Sequence, residues 1–121
     1  MLSQRELDVM RILYEAGEPL TSTGITERMT GLTQSTVIAV VRSLLRQGML
    51  EEAGVTHSGK VLSRLFSTTE RGKEVILEHF TEYYRSASHI IPASEMCKCI
   101  LEAGEITKED IADIRKMLET F

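Results

Sequence analysis

The sequence predicts a mainly α-helical fold with one small β-hairpin, followed by helices that need something to pack against. Three observations point there. Apolar residues recur at helical spacing through most of the 121 residues. Two short extended stretches, MLEEA at residues 49–53 and VLSRLFS at 61–67 with its Val61, Leu62, Leu65 and Phe66, flank a linker GVTHSGK that holds two glycines, the pattern of a hairpin. Carboxylates are missing from residues 28–50 and again from 53–69, although the chain holds 18 of them. A surface meant to approach phosphates has to be free of acids in this way.

Ser3 followed by Glu6 forms a capping box, in which hydroxyl and carboxylate each satisfy an orphan N–H at a helix start. The first helix then carries Leu7, Met10, Ile12, Leu13 and Ala16 on its apolar face and stops at Gly17 and Pro19. Thr21 caps a short second helix whose buried pair is Ile25 and Met29, and Gly31 releases the chain into a turn. Thr33 caps a third helix, with Val37, Val41, Leu44 and Leu45 on one side and Ser35, Ile38, Ala39, Arg42 and Arg46 on the other. Two short helices joined by a Gly-containing turn, followed directly by a hairpin, make a winged helix-turn-helix.

The third helix, over residues 34–47, is thus expected to read DNA. Thr33, Gln34, Ser35 and Thr36 lie at its positive N-terminal end, where backbone N–H groups favour a phosphate. Ile38 and Ala39 suit thymine methyl groups, and Arg42 and Arg46 suit bases or phosphates. The wing is expected at 54–60, with His57, Lys60 and Arg64 meeting the backbone or minor groove.

Thr69 opens a fourth helix with Ile76, Phe80, Tyr83, Tyr84 and Ala87 at helical spacing. Pro92 breaks it, and Ala93 to Ala103 predicts a fifth helix using Met96, Ile100 and Leu101. Thr107 with Asp110 is a second capping box, opening a sixth helix striped by Ile111, Ile114, Leu118 and Phe121. These helices follow an already complete winged domain, so the economical partner for their stripes is a second copy of the chain. The expected division is a winged-helix DNA-binding domain over 1–68 and a helical dimerisation region over 69–121. Ile76, Phe80, Tyr83, Tyr84, Ile100, Leu101, Ile111, Ile114 and Leu118 are the expected dimer interface.

Composition narrows the function classes. Residues 1–66 hold seven Lys/Arg against seven Asp/Glu, and residues 67–121 hold seven against eleven, so the net charge of −4 resides in the C-terminal half. Such a chain does not coat nucleic acid indiscriminately. No apolar run approaches the roughly 20 residues of a membrane span, the charged start MLSQRELD is no signal peptide, and the expected location is cytoplasmic. Cys97 and Cys99, one residue apart, cannot staple a fold; they are a weak candidate metal pair, since residues two apart on a helix point about 200° apart. Otherwise they are buried or incidental thiols. His57, His79 and His89 show no ligand spacing, and no nucleophile elbow, phosphate-binding glycine loop or carboxylate pair is present. Neither an enzyme nor a cofactor is expected.

The stretches LSQRELDVMRILYEAGEPLT, STVIAVVRSLLRQGMLE and ITKEDIADIRKMLE resemble the penicillinase-repressor family of bacterial transcriptional regulators, with its related copper-responsive repressors. Ser35-Thr36-Val37, Leu44 and the Gly48-x-Leu50 exit carry most of the likeness. The resemblance implies a homodimeric winged-helix repressor that holds its third helix in the major groove of a palindromic operator, with an unknown small-molecule or protein inducer. Ile38 and Ser43 depart from it, standing where relatives often carry basic residues, and STTERGKEVI looks more like the MarR and PadR regulators. The alternatives are a winged helix used for protein interaction, and a ligand- or metal-responsive sensor of MarR or copper-repressor type.

Overall fold

A computed structural model describes residues 2–121, with the backbone only at Ser58. Met1, at the head of the expected 1–68 span, and the Ser58 side chain in the expected wing lie outside the described residues. The order of elements is α1 (Gln4–Ala16), α2 (Ser22–Arg28), α3 (Gln34–Arg46), β1 (Leu50–Ser58), β2 (Val61–Thr68), α4 (Glu70–Ala87), α5 (Ala93–Ala103) and α6 (Lys108–Leu118). This is the expected mainly helical, winged helix-turn-helix architecture.

Local chemistry sets the helix ends. Ser3 Oγ accepts from Glu6 N at 3.1 Å while Ser3 N donates to Glu6 Oε1 at 2.9 Å, so both halves of the first capping box form. Gly17, at φ 66°, ends α1 in the left-handed conformation that glycine adopts without steric cost. Thr21 Oγ1 accepts from Gly24 N, and Thr33 Oγ1 accepts from Thr36 N at 3.2 Å. The capping box of α6 forms between Thr107 and Asp110.

The chain divides into two compact units, Met1–Glu82 and Tyr83–Phe121. The first holds the core: Val9, Met10, Ile12 and Leu13 of α1, Leu20, Ile25 of α2, Val37, Val41 and Leu44 of α3, and Met49, Leu50 and Phe66 of the hairpin, with Leu2 beside them. Each such side chain contributes on the order of 1.5–3 kcal/mol by leaving water. Leu20 and Phe66 exchange both backbone hydrogen bonds, at 3.0 and 2.8 Å, and so fasten the α1–α2 connection to the base of the wing. Thr69 Oγ1 donates to Gly48 O at 2.7 Å and accepts from Gly72 N at 3.1 Å. One threonine thereby caps α4 and fixes it to the turn after α3.

In the second unit, α5 and α6 bury no residue at all. Tyr84 Oη donates to Ile91 O at 2.9 Å and closes the turn that ends α4.

The hairpin corrects one expectation. The stretch GVTHSGK was expected as a linker between two short strands, but β1 continues to Ser58 and pairs antiparallel with β2 as far as Ser58↔Val61. Val55 and Thr56 are β-branched and favour extended pairing. Of the two glycines that suggested a loop, one lies within the strand and only the other in a turn. Gly54, at φ 130°, follows a bulge that puts one extra residue opposite β2, and Gly59, at φ 66°, takes the first place of a two-residue turn with Lys60.

Candidate nucleic-acid interface

Helix α3 presents two faces of opposite chemistry. Val37, Val41 and Leu44 are buried, while Ser35, Ala39, Arg42 and Arg46 are exposed and Ile38 is half-buried at the edge. The periodicity that separates core from surface thus gathers the expected reading residues on one side. Among the described residues Arg42 and Arg46 make no ion pair, which leaves both charges available.

At the start of α3 the polar residues are partly occupied with one another. Thr33 and Thr36 hydroxyls lie 3.0 Å apart, and Gln34 Nε2 donates to Thr23 Oγ1 at 3.0 Å, joining α3 to α2. Ser35 is the exposed hydroxyl of this turn that makes no side-chain hydrogen bond within the described residues.

The far end of α3 is held by a residue that the sequence offered only as a cap. Glu6 is 9% exposed and is the buried charged side chain of the described core. Its Oε2 accepts from Gln47 Nε2 at 2.7 Å and from Ser43 Oγ at 3.2 Å. Burial by itself raises the Glu6 pKa; the hydrogen bonds from Ser3, Gln47 and Ser43 outweigh it and hold the carboxyl below its ordinary value of 4.5. Ser43, the departure from the family pattern, therefore faces α1 and tethers the helix. Sequence spacing shows i,i+3 partners and carries no sign of a contact 37 or 41 residues away.

On the wing, His57 and Lys60 are exposed, as are the apolar Val55, Val61 and Leu62. Arg64 is not a free cation: its Nη1 donates to Glu52 Oε1 at 2.9 Å across the strands. A phosphate at Arg64 has to compete with that carboxylate, although both groups are more than half exposed and such a pair contributes little.

The expected interface residues fall in several environments. Ile76 packs against the core of the first unit. Tyr84 and Ile114 are half-buried, whereas Phe80, Tyr83, Ile100, Leu101, Ile111 and Leu118 are exposed. Cys97 and Cys99 are free and exposed, which overturns the alternative that they are buried. Within the described residues no three His, Cys, Asp or Glu side chains gather as a metal site would require.

Residues 2–120 match the profile of the penicillinase repressor family. The chain belongs to that family. As a member, it is a winged-helix DNA-binding transcriptional regulator of a repressor family, one of regulators and not of enzymes. No curated protein matches it. Among solved structures, the adhesin competence repressor from Streptococcus pyogenes is similar over 99% of this chain and 77% of its own, at 18% identity and a TM-score of 0.51. A zinc-responsive MarR family member from Lactococcus lactis is similar over 99% of this chain and 74% of its own, at 22% identity and a TM-score of 0.51. At such identities the likeness is one of fold, and it agrees with the winged helix that this penicillinase repressor family member builds. No helix among the described residues is long and apolar enough to cross a membrane.

Proposed function

We propose that the protein represses transcription as a homodimer, laying residues 34–47 in the major groove of each half of a palindromic operator. The observation that carries this reading is the outward face of α3, which offers Ser35, Ile38, Ala39, Arg42 and Arg46 with two unpaired cations and no carboxylate. Arg42 and Arg46 reach bases or phosphates; Thr33, Gln34, Ser35 and Thr36 surround a phosphate at the helix start; Ile38 and Ala39 meet thymine methyls. The 54–60 wing brings His57 and Lys60 to the backbone or minor groove, and Arg64 joins them on leaving Glu52.

The working division is residues 1–68 for DNA and residues 69–121 for dimerisation. Supporting the dimer is a C-terminal unit of roughly 40 residues whose helices α5 and α6 bury nothing, with Ile100 and Leu118 more than half exposed. Chains of that size do not usually stay folded without staples or a partner. Two-fold symmetry of the dimer then places the half-sites about one helical turn, roughly 34 Å, apart.

Fluorescence anisotropy with duplexes from the region upstream of the protein's own gene tests the reading. Wild type is expected to select one palindromic duplex, with affinity falling steeply as salt rises. Arg42→Ala should weaken that binding by about 1–3 kcal/mol and relax preference at one base pair of each half-site. Unchanged affinity and preference in Arg42→Ala would remove Arg42 from the contacts, and selection of no duplex by wild type would overturn the reading.

A further inference from the structure

We propose that Glu6 is a positioning residue for the reading helix: by accepting hydrogen bonds from Ser43 and Gln47, its carboxylate fixes the angle at which α3 presents Arg42 and Arg46. The proposal rests on the DNA-reading role of α3.

The two oxygens of Glu6 have separate duties. Oε1 accepts from Ser3 N at 2.9 Å and belongs to the cap of α1. Oε2 takes no part in that cap and accepts instead from Gln47 Nε2 at 2.7 Å and Ser43 Oγ at 3.2 Å. Ser43 and Gln47 stand one turn apart on the same flank of α3, and Gln47 Nε2 also donates to Ser43 Oγ at 3.1 Å, so the pair approaches the carboxylate as a unit. Ser43 follows Arg42 by about 100° of helical turn and is about 60° from Arg46. The tether therefore sits beside the outward face and leaves that face uncovered.

A directional clamp adds what apolar packing lacks. Apart from the Gln34–Thr23 hydrogen bond at its start, the contact of α3 with the domain is through aliphatic side chains such as Val37, Val41 and Leu44, whose attraction is non-directional and leaves the far end of the helix free to roll and slide slightly. Hydrogen bonds to a charged acceptor are short and directional. A base contact in the groove depends on that precision, while attraction to the phosphate backbone tolerates its loss.

The chain itself suggests how to separate the cap from the clamp. At α6 the capping box is completed by an aspartate, Asp110 Oδ2 accepting from Thr107 N at 3.1 Å. Glu6→Asp should keep the cap of α1 in the same way, yet it is about 1.5 Å shorter in reach and falls short of Ser43 and Gln47. Ser43→Ala and Gln47→Ala remove the clamp from the other side and leave the Glu6 cap untouched.

The test uses the full-length protein and a duplex enriched by wild type from a random pool, set against a scrambled duplex of the same length. Affinity for each is measured at a temperature where thermal melts show every variant folded. Glu6→Asp, Ser43→Ala and Gln47→Ala are each expected to lower the ratio of selected to scrambled affinity by roughly 3- to 10-fold, the equivalent of one hydrogen bond. Affinity for the scrambled duplex should not change, because no phosphate-facing charge is altered. A merely structural role lowers the folded fraction and reduces both affinities together, which leaves the ratio where it was. An unchanged ratio in all three variants overturns the positioning role. Enrichment of no sequence by wild type overturns the DNA reading beneath it.

Discussion

Replacing Gly72 with alanine puts the seating of α4 on the winged domain under direct strain. A Cβ at Gly72 would stand 2.7 Å from Met10 Cε and 2.8 Å from the carbonyl oxygen of Met49. The first distance is about 0.8 Å short of the carbon–carbon optimum near 3.5 Å. Met10 is fully buried, but its Cε ends a flexible side chain that can shift; the Met49 carbonyl belongs to the backbone that leads into β1 and cannot give way so cheaply. Helix α4 therefore has to lift or the core has to shift, a kind of overpacking that costs about 1–3 kcal/mol. Against this, alanine is favoured over glycine within a helix by up to ~1 kcal/mol, and by less in the first turn, where Gly72 lies. The net expectation is a loss of about 1–2 kcal/mol. For a unit of this size that lowers the thermal midpoint by roughly 5–15 °C. Circular-dichroism melts and urea titrations measure it, with the exposed neighbour Lys73→Ala as a control expected within about 0.5 kcal/mol of wild type. A Gly72→Ala protein that melts at or above the wild-type temperature would refute the close approach, since helix propensity would then have decided the sign.

Three other outcomes follow from the same geometry. The Glu6 carboxyl is held below 4.5 when folded, so its contribution to stability is present above about pH 4.5 and is lost as pH falls through the lower folded value; in urea titrations the gap between wild type and Glu6→Gln should narrow as the solution is acidified through that window, and a gap that stays constant would show that the charge is not what is stabilised. If the protein dimerises as proposed, Ile100→Glu and Leu118→Glu should shift it from dimer to monomer in sedimentation velocity, whereas variants that remain dimeric would move the interface off α5 and α6. Lys60→Ala should reduce the slope of log affinity against log salt by about 1 with little change in sequence preference, and an unaltered slope would take the turn of the wing away from the DNA backbone.

Local signals in the sequence carried most of the fold. Capping residues at Ser3, Thr21, Thr33 and Thr107, and apolar periodicity within each helix, act over three or four neighbours and are written in adjacent letters. The outward face of α3 was legible for the same reason, because a period of 3.6 sorts Val37, Val41 and Leu44 from Ser35, Arg42 and Arg46 without any tertiary knowledge. The length of the wing was not, because glycine marks loops, bulges and hairpin turns alike, and only pairing with β2 shows which role Gly54 and Gly59 take. The state of Arg64 depended on Glu52 lying across the strands, a matter of register. Glu6 was hidden most deeply: its local partner explained it completely, which left no reason to look for Ser43 and Gln47.

The wing has one further consequence, for how copies of the protein meet at high concentration. Among the described residues β1 pairs with β2 alone, so its outer edge offers a row of unpaired N–H and C=O groups to any extended chain nearby. Glu51 places a negative charge at the base of that edge, Glu52 being paired with Arg64 across the hairpin, and the bulge before Gly54 breaks its even spacing. A strand added by another molecule in a symmetric pairing would bring a second Glu51 toward the first and would meet an interrupted ladder beyond it. The irregularity before Gly54 is thus the kind of feature that disfavours edge-to-edge strand addition, and a variant that straightened β1 is expected to be the more prone to it.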